Sequence, residues 1–115
     1  RPGHHKRDAE MAAYLREHVA SDASARFLVL TGNVHAMLAK PNRAPPEMQQ
    51  PMGSYLVDLD PYSIKISAKS GEFWGCTTSC SAKAVYPSQQ SRALNAREYH
   101  FEVVLPEFSV ARWLR

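Results

Sequence analysis

Residues 26–36 read Arg26-Phe27-Leu28-Val29-Leu30-Thr31-Gly32-Asn33-Val34-His35-Ala36, and the choice of fold rests on this stretch. Four consecutive apolar residues with no polar alternation predict a central strand over about 27–31, covered on both faces. The Gly32-Asn33 pair that follows is a turn signal, so His35 is expected at the carboxyl end of that strand. In open α/β sheets ligands bind beyond the carboxyl ends of the strands. An imidazole there can work as general base or metal ligand near neutral pH. The alternative is a His35 that only hydrogen-bonds within its turn.

Upstream, residues 9–20 (AEMAAYLREHVA) place Met11, Leu15 and His18/Val19 on one stripe with Ala12 and Tyr14, which predicts an amphipathic helix of about three turns. Asp8 precedes it, either as N-cap or as a carboxylate directed into a site. Downstream, residues 40–53 carry four prolines and no period, and read as a surface loop. A short helix is expected from Ser54, its cap, to the stop at Asp60-Pro61. Tyr62 to Ser67 alternates as a strand with Tyr62, Ile64 and Ile66 on one face, and Glu72-Phe73-Trp74 is a second, short strand after the Ser70-Gly71 turn. Gly75 to Ala96 is polar and irregular, Arg97 to Leu105 resumes a strand pattern, and residues 108–114 are a short helix or strand. The expected architecture is α/β: a mixed sheet with a central buried strand (about 27–31) flanked by helix 9–20, plus antiparallel strands near 62–67 and 97–105.

Composition bounds the function. The chain has 115 residues, 44% apolar, enough for one domain with a modest core. A net charge of +3, with no block of five or more like charges, does not predict nucleic-acid binding. No apolar run, Phe27 to Leu30 included, approaches the roughly 18 residues a transmembrane helix needs. The first residues, Arg1-Pro2-Gly3-His4-His5-Lys6-Arg7, contain no apolar signal-sequence core. Cys76 and Cys80, in GCTTSC, have no second pair for a four-cysteine zinc site, and a local disulfide closing a small loop leads over two free thiols. The aromatic residues, Trp74 and Trp113 among them, are expected mainly in the core.

Three blocks of sequence resemble one superfamily: Arg7-Asp8-x-x-Met11-Ala12, then Phe27 through Ala36, then Met52-Gly53-Ser54-Tyr55-Leu56. It groups erythromycin esterases, ChaN-like haem-uptake lipoproteins and Tiki-type proteins, and Trp74-Gly75-Cys76 is similar to a segment of its bacterial members. The resemblance spans roughly residues 7–76, and its most specific piece is the Gly-Asn-x-His-Ala turn. It implies an α/β domain in which His35 and Asp8 are catalytic and Arg7, Asn33 and Gly32 bind ligand. The implied activity is hydrolysis or binding of a small molecule. Haem or a metal ion is an implied cofactor, and a haem-binding or non-catalytic interaction module is the alternative. The superfamily's Gly-Glu-x-His turn does not occur. The chain is therefore expected to be the C-terminal portion of a larger domain, paired with its N-terminal portion or with a second copy of itself. Lipoprotein relatives imply a periplasmic or secreted location, and with it the Cys76–Cys80 bridge.

Overall fold

The computed structural model describes residues 6–76, 78–85, 96–110 and 112. It is a mixed α/β protein. In chain order come α1 (Arg7–Ser21), α2 (Asn33–Ala36), a 3₁₀ helix (Met52–Leu59), and strands β1 (Ile64–Ala68), β2 (Glu72–Cys76), β3 (Cys80–Ala84) and β4 (Phe101–Leu105). Two compact units result, one of Arg1–Lys65 with Asn95–Phe101 and one of Ile66–Leu94 with Glu102–Arg115.

In the first unit α1 forms where the apolar stripe predicts it, with Ala12 buried and Met11, Leu15 and Val19 half-buried. It packs against the 3₁₀ helix. Arg16 Nη1 and Nη2 donate to Asp58 Oδ2 and Oδ1 at 2.8 and 2.7 Å, and Nη2 also reaches the Tyr55 carbonyl at 2.7 Å. The 3₁₀ helix starts two residues before Ser54: Pro51 is its N-cap, and Ser54 Oγ donates back to the Pro51 carbonyl instead of capping. It ends at Asp60, whose left-handed backbone (φ 53°) turns the chain into Pro61. Asp8 is likewise not a cap. Lys6 holds that position without a side-chain hydrogen bond, and Asp8 lies inside the first turn of α1.

The expected central strand is corrected. Residues 25–32 have no regular structure, Leu28 and Leu30 are 98% and 90% exposed, and Phe27 and Val29 are 46% and 45% exposed. No backbone hydrogen bond ties residues 26–31 to any described residue. An apolar run records a preference for burial, but a strand exists only against a neighbour, and β1 and β4 take each other. Their pairing corrects a second expectation. His100 and Phe101 N–H donate to the Ser63 carbonyl, and Lys69 N–H to that of Leu105, so the strands run parallel. The long connection between them, with the β2–β3 hairpin inside it, returns the chain in the same direction, as a parallel pair requires.

The alternation of 62–67 holds, with the face of Tyr62, Ile64 and Ile66 turned outward. Ser63 is buried while Tyr62, Ile64 and Ile66 are exposed. The strand expected over 97–105 is confined to Phe101–Leu105, because Glu98 and Tyr99 are drawn into contacts with the chain around α2.

In the second unit β2 and β3 form an antiparallel hairpin, with Trp74 opposite Ala82 and Cys76 opposite Cys80. The segment read as irregular thus contains a strand. Its residues, CSAKA, include weak strand formers, and pairing with β2 overrides that preference. Gly71, at φ 96°, brings the chain against Phe108, and the two form a parallel bridge that a side chain at Gly71 would block. His4, His5 and Trp113 lie outside the described residues.

Candidate functional site

The site in the first unit is built on Asp8. From the first turn of α1 its carboxylate faces His35 of α2, with Nδ1 at 2.9 Å from Oδ1 and 3.0 Å from Oδ2. Oδ2 also accepts the Met52 N–H, at 2.8 Å, at the start of the 3₁₀ helix. One carboxylate therefore joins three helices. An ionised carboxylate only accepts hydrogen bonds, so the arrangement is satisfied with the imidazole proton on Nδ1. Nε2 then carries the lone pair, and no described residue bonds it. The side chains are 25% exposed for His35 and 14% for Asp8, so the pair is sheltered yet reachable.

The α2 turn is fixed by its backbone. Gly32, in an extended conformation, accepts the His35 and Ala36 N–H groups through its carbonyl. Tyr99, nearly fully buried, donates its hydroxyl to the Asn33 carbonyl at 2.7 Å, and Ser63 Oγ donates to that of Ala36 at 2.6 Å. Leu38 N–H donates to the Glu98 carbonyl. Gly53 lies so close to α2 that a Cβ would meet the Met37 carbonyl oxygen at 2.5 Å and that of Ala36 at 2.9 Å. The absence of a side chain at Gly53 lets the 3₁₀ helix approach and presents Met52 N–H to Asp8.

The residues expected at the site thus separate by role. Asp8 and His35 are brought together, while Gly32 and Asn33 shape the turn through their backbones. Arg7 is exposed and makes no hydrogen bond to either member of the pair. Cys76 and Cys80 are joined by a disulfide at the tip of the hairpin in the second unit.

Sequence reading missed Tyr99, Ser63, Met52 and Glu98 as supports. A Glu-x-His triplet does occur, at Glu98-Tyr99-His100, with Arg97 in the place of glycine. Glu98 is 5% exposed, and its Oε1 has no hydrogen-bond partner among the described residues. The His100 ring stacks on Tyr62 at 4.8 Å, and its Nδ1 accepts the Ser63 N–H at 3.0 Å. Among the described residues no three His, Cys, Asp or Glu side chains are grouped to hold a metal ion, and no helix is long and apolar enough to cross a membrane. In the second unit an open depression of about 450 Å³, with Glu72, Glu107, Phe108 and Arg112 on its walls, contains none of the expected site residues.

No protein-family model, curated protein or solved structure matches the chain.

Proposed function

We propose that this chain is a ligand-binding or hydrolase-like α/β domain of the erythromycin esterase/ChaN-like type, in which His35 acts on a small molecule through Nε2. The observation that carries the reading is the grip of both Asp8 oxygens on His35 Nδ1. A carboxylate on one ring nitrogen fixes the tautomer and the orientation of the ring. With an ester, Nε2 takes a proton from water as the oxygen attacks the acyl carbon, then returns it to the departing alkoxide. Asp8 keeps no proton and stabilises the imidazolium between the two steps. The same orientation suits Nε2 to ligate haem iron.

The Cys76–Cys80 bridge supports a periplasmic or secreted setting, since disulfides persist in oxidising compartments. Hydrolysis of a p-nitrophenyl ester panel and the Soret band after haem addition, each compared with His35→Gln, test the reading. Turnover that falls by about a hundredfold in the variant identifies a base. A Soret shift lost in the variant, without turnover, identifies a binding site. Wild-type and variant proteins that behave alike in both assays reject the proposal.

A further inference from the structure

Gly32 enters the His35 turn with φ −67° and ψ 148°, a backbone open to every residue type. Its conformation therefore does not call for glycine. Neither does its packing. A Cβ there would meet one atom within 4 Å, His35 Cδ2 at 3.6 Å, which is ordinary van der Waals contact. Gly53 and Gly71 differ, since a Cβ on either would strike backbone. What Gly32 leaves open is the space against one side of the imidazole, and Asp8 holds the other side through Nδ1. Cδ2 is bonded to Nε2, so this space adjoins the nitrogen that carries the lone pair. Gly32 is exposed and the His35 side chain is 25% exposed, so solvent reaches it.

We propose that the open side of Gly32 is the subsite through which a ligand reaches His35 Nε2, and that it takes a small, neutral, apolar group: the alkyl or aryl substituent of an acyl compound. The inference rests on the reading that His35 acts through Nε2, and adds the side of approach and the part of the ligand that lodges there. The atom bounding the space is a ring carbon, and among the described residues no charged side chain lies within 4 Å of the Cβ position. A charged substituent would find no partner there, whereas an apolar one gains by leaving water. The acyl carbon that carries it then lies beside the Cδ2–Nε2 edge, within reach of a water held on Nε2. A side chain at position 32 would compete with the ligand for the same space, so the bulk of that residue sets which ligands enter.

Carbethoxylation by diethyl pyrocarbonate, followed by peptide mass spectrometry, reads the approach to His35 without any turnover, and exposed His18 on α1 is the internal standard. In the wild type His35 is expected to react, and millimolar benzamide, a neutral aryl acyl compound, to slow it by about threefold while leaving His18 unaffected. Gly32→Leu is expected to slow His35 by about tenfold, with His18 and the helical circular dichroism unchanged and no further effect of benzamide. Gly32→Ala, which adds only the ordinary contact to Cδ2, is expected to react at close to the wild-type rate. These rates require neither ester hydrolysis nor haem binding, so the subsite and the function fail separately. The benzamide arm needs no substitution and stands even where a variant does not fold. A wild-type His35 that does not react or that benzamide does not protect, or a His35 that reacts as fast in folded Gly32→Leu as in the wild type, would overturn the proposal.

Discussion

His35 Nδ1 lies within 3.0 Å of both carboxylate oxygens of Asp8, a residue 27 positions earlier in the chain. The contact forms because α1 and α2 both meet the 3₁₀ helix, whose Met52 N–H is the second group on the same carboxylate. Backbone geometry thus sets the position of Asp8, and Asp8 sets the ring.

Gly53 is the position where this support is most sensitive to a single methyl group. Its Cβ would meet two carbonyl oxygens of the α2 segment, and backbone cannot swing aside as a side-chain tip can. Gly53→Ala is expected to destabilise the protein by about 1–3 kcal/mol in urea unfolding and to weaken the Asp8–His35 contact with it. An alanine variant as stable as the wild type would show that the helices are not in close apposition.

The Arg16–Asp58 pair gives a pH dependence of known sign. The Arg16 guanidinium, hydrogen-bonded to the Asp58 carboxylate, holds its pKa below the ordinary value. The folded state therefore binds that proton less readily than the unfolded chain. The stabilisation is present above the ordinary carboxyl pKa and is lost as pH falls through the folded value. The pair is exposed, so its contribution is small and screened by salt. Tm is expected to be lower for Asp58→Asn than for the wild type at neutral pH, with the gap closing on acidification and narrowing in high salt. A gap that widens toward low pH would contradict the assignment.

The hairpin cross-link is tested by mass. Cys76 and Cys80 are paired in register and bonded, with three residues between them. Protein from an oxidising compartment is expected to take up no alkylating agent until reduced, and then two equivalents. Because the closed loop is short, reduction is expected to cost at most about 2 kcal/mol. Immediate alkylation of both thiols would remove the bridge and the support it lends to export.

Much of this architecture was legible in the sequence, with α1 as the clearest example: its stripe of Met11, Ala12, Leu15 and Val19 needs only local periodicity. The pairing of Asp8 with His35 was partly legible, since a carboxylate at a helix start has two uses and only the tertiary arrangement chooses between them. Strand partners were not legible. Nothing local in Phe27–Leu30 records that no strand among the described residues pairs with it, and nothing in Tyr62–Ser67 tells which of its faces turns inward. The direction of β1 against β4 depends on the path of more than thirty intervening residues. Gly53 and Tyr99 act through contacts distant in sequence, which no spacing rule reaches.

Tautomer-resolved nitrogen NMR of the imidazole at about pH 8 reports whether Asp8 fixes which nitrogen of His35 carries the proton. The wild-type protein is expected to show His35 protonated at Nδ1 with Nε2 unprotonated. In Asp8→Asn the amide oxygen can still accept the Met52 N–H while the amide nitrogen faces the ring, so the proton is expected to move to Nε2 in a protein that remains folded. An Nε2-protonated His35 in the wild type, or the same tautomer in both proteins, would contradict the account.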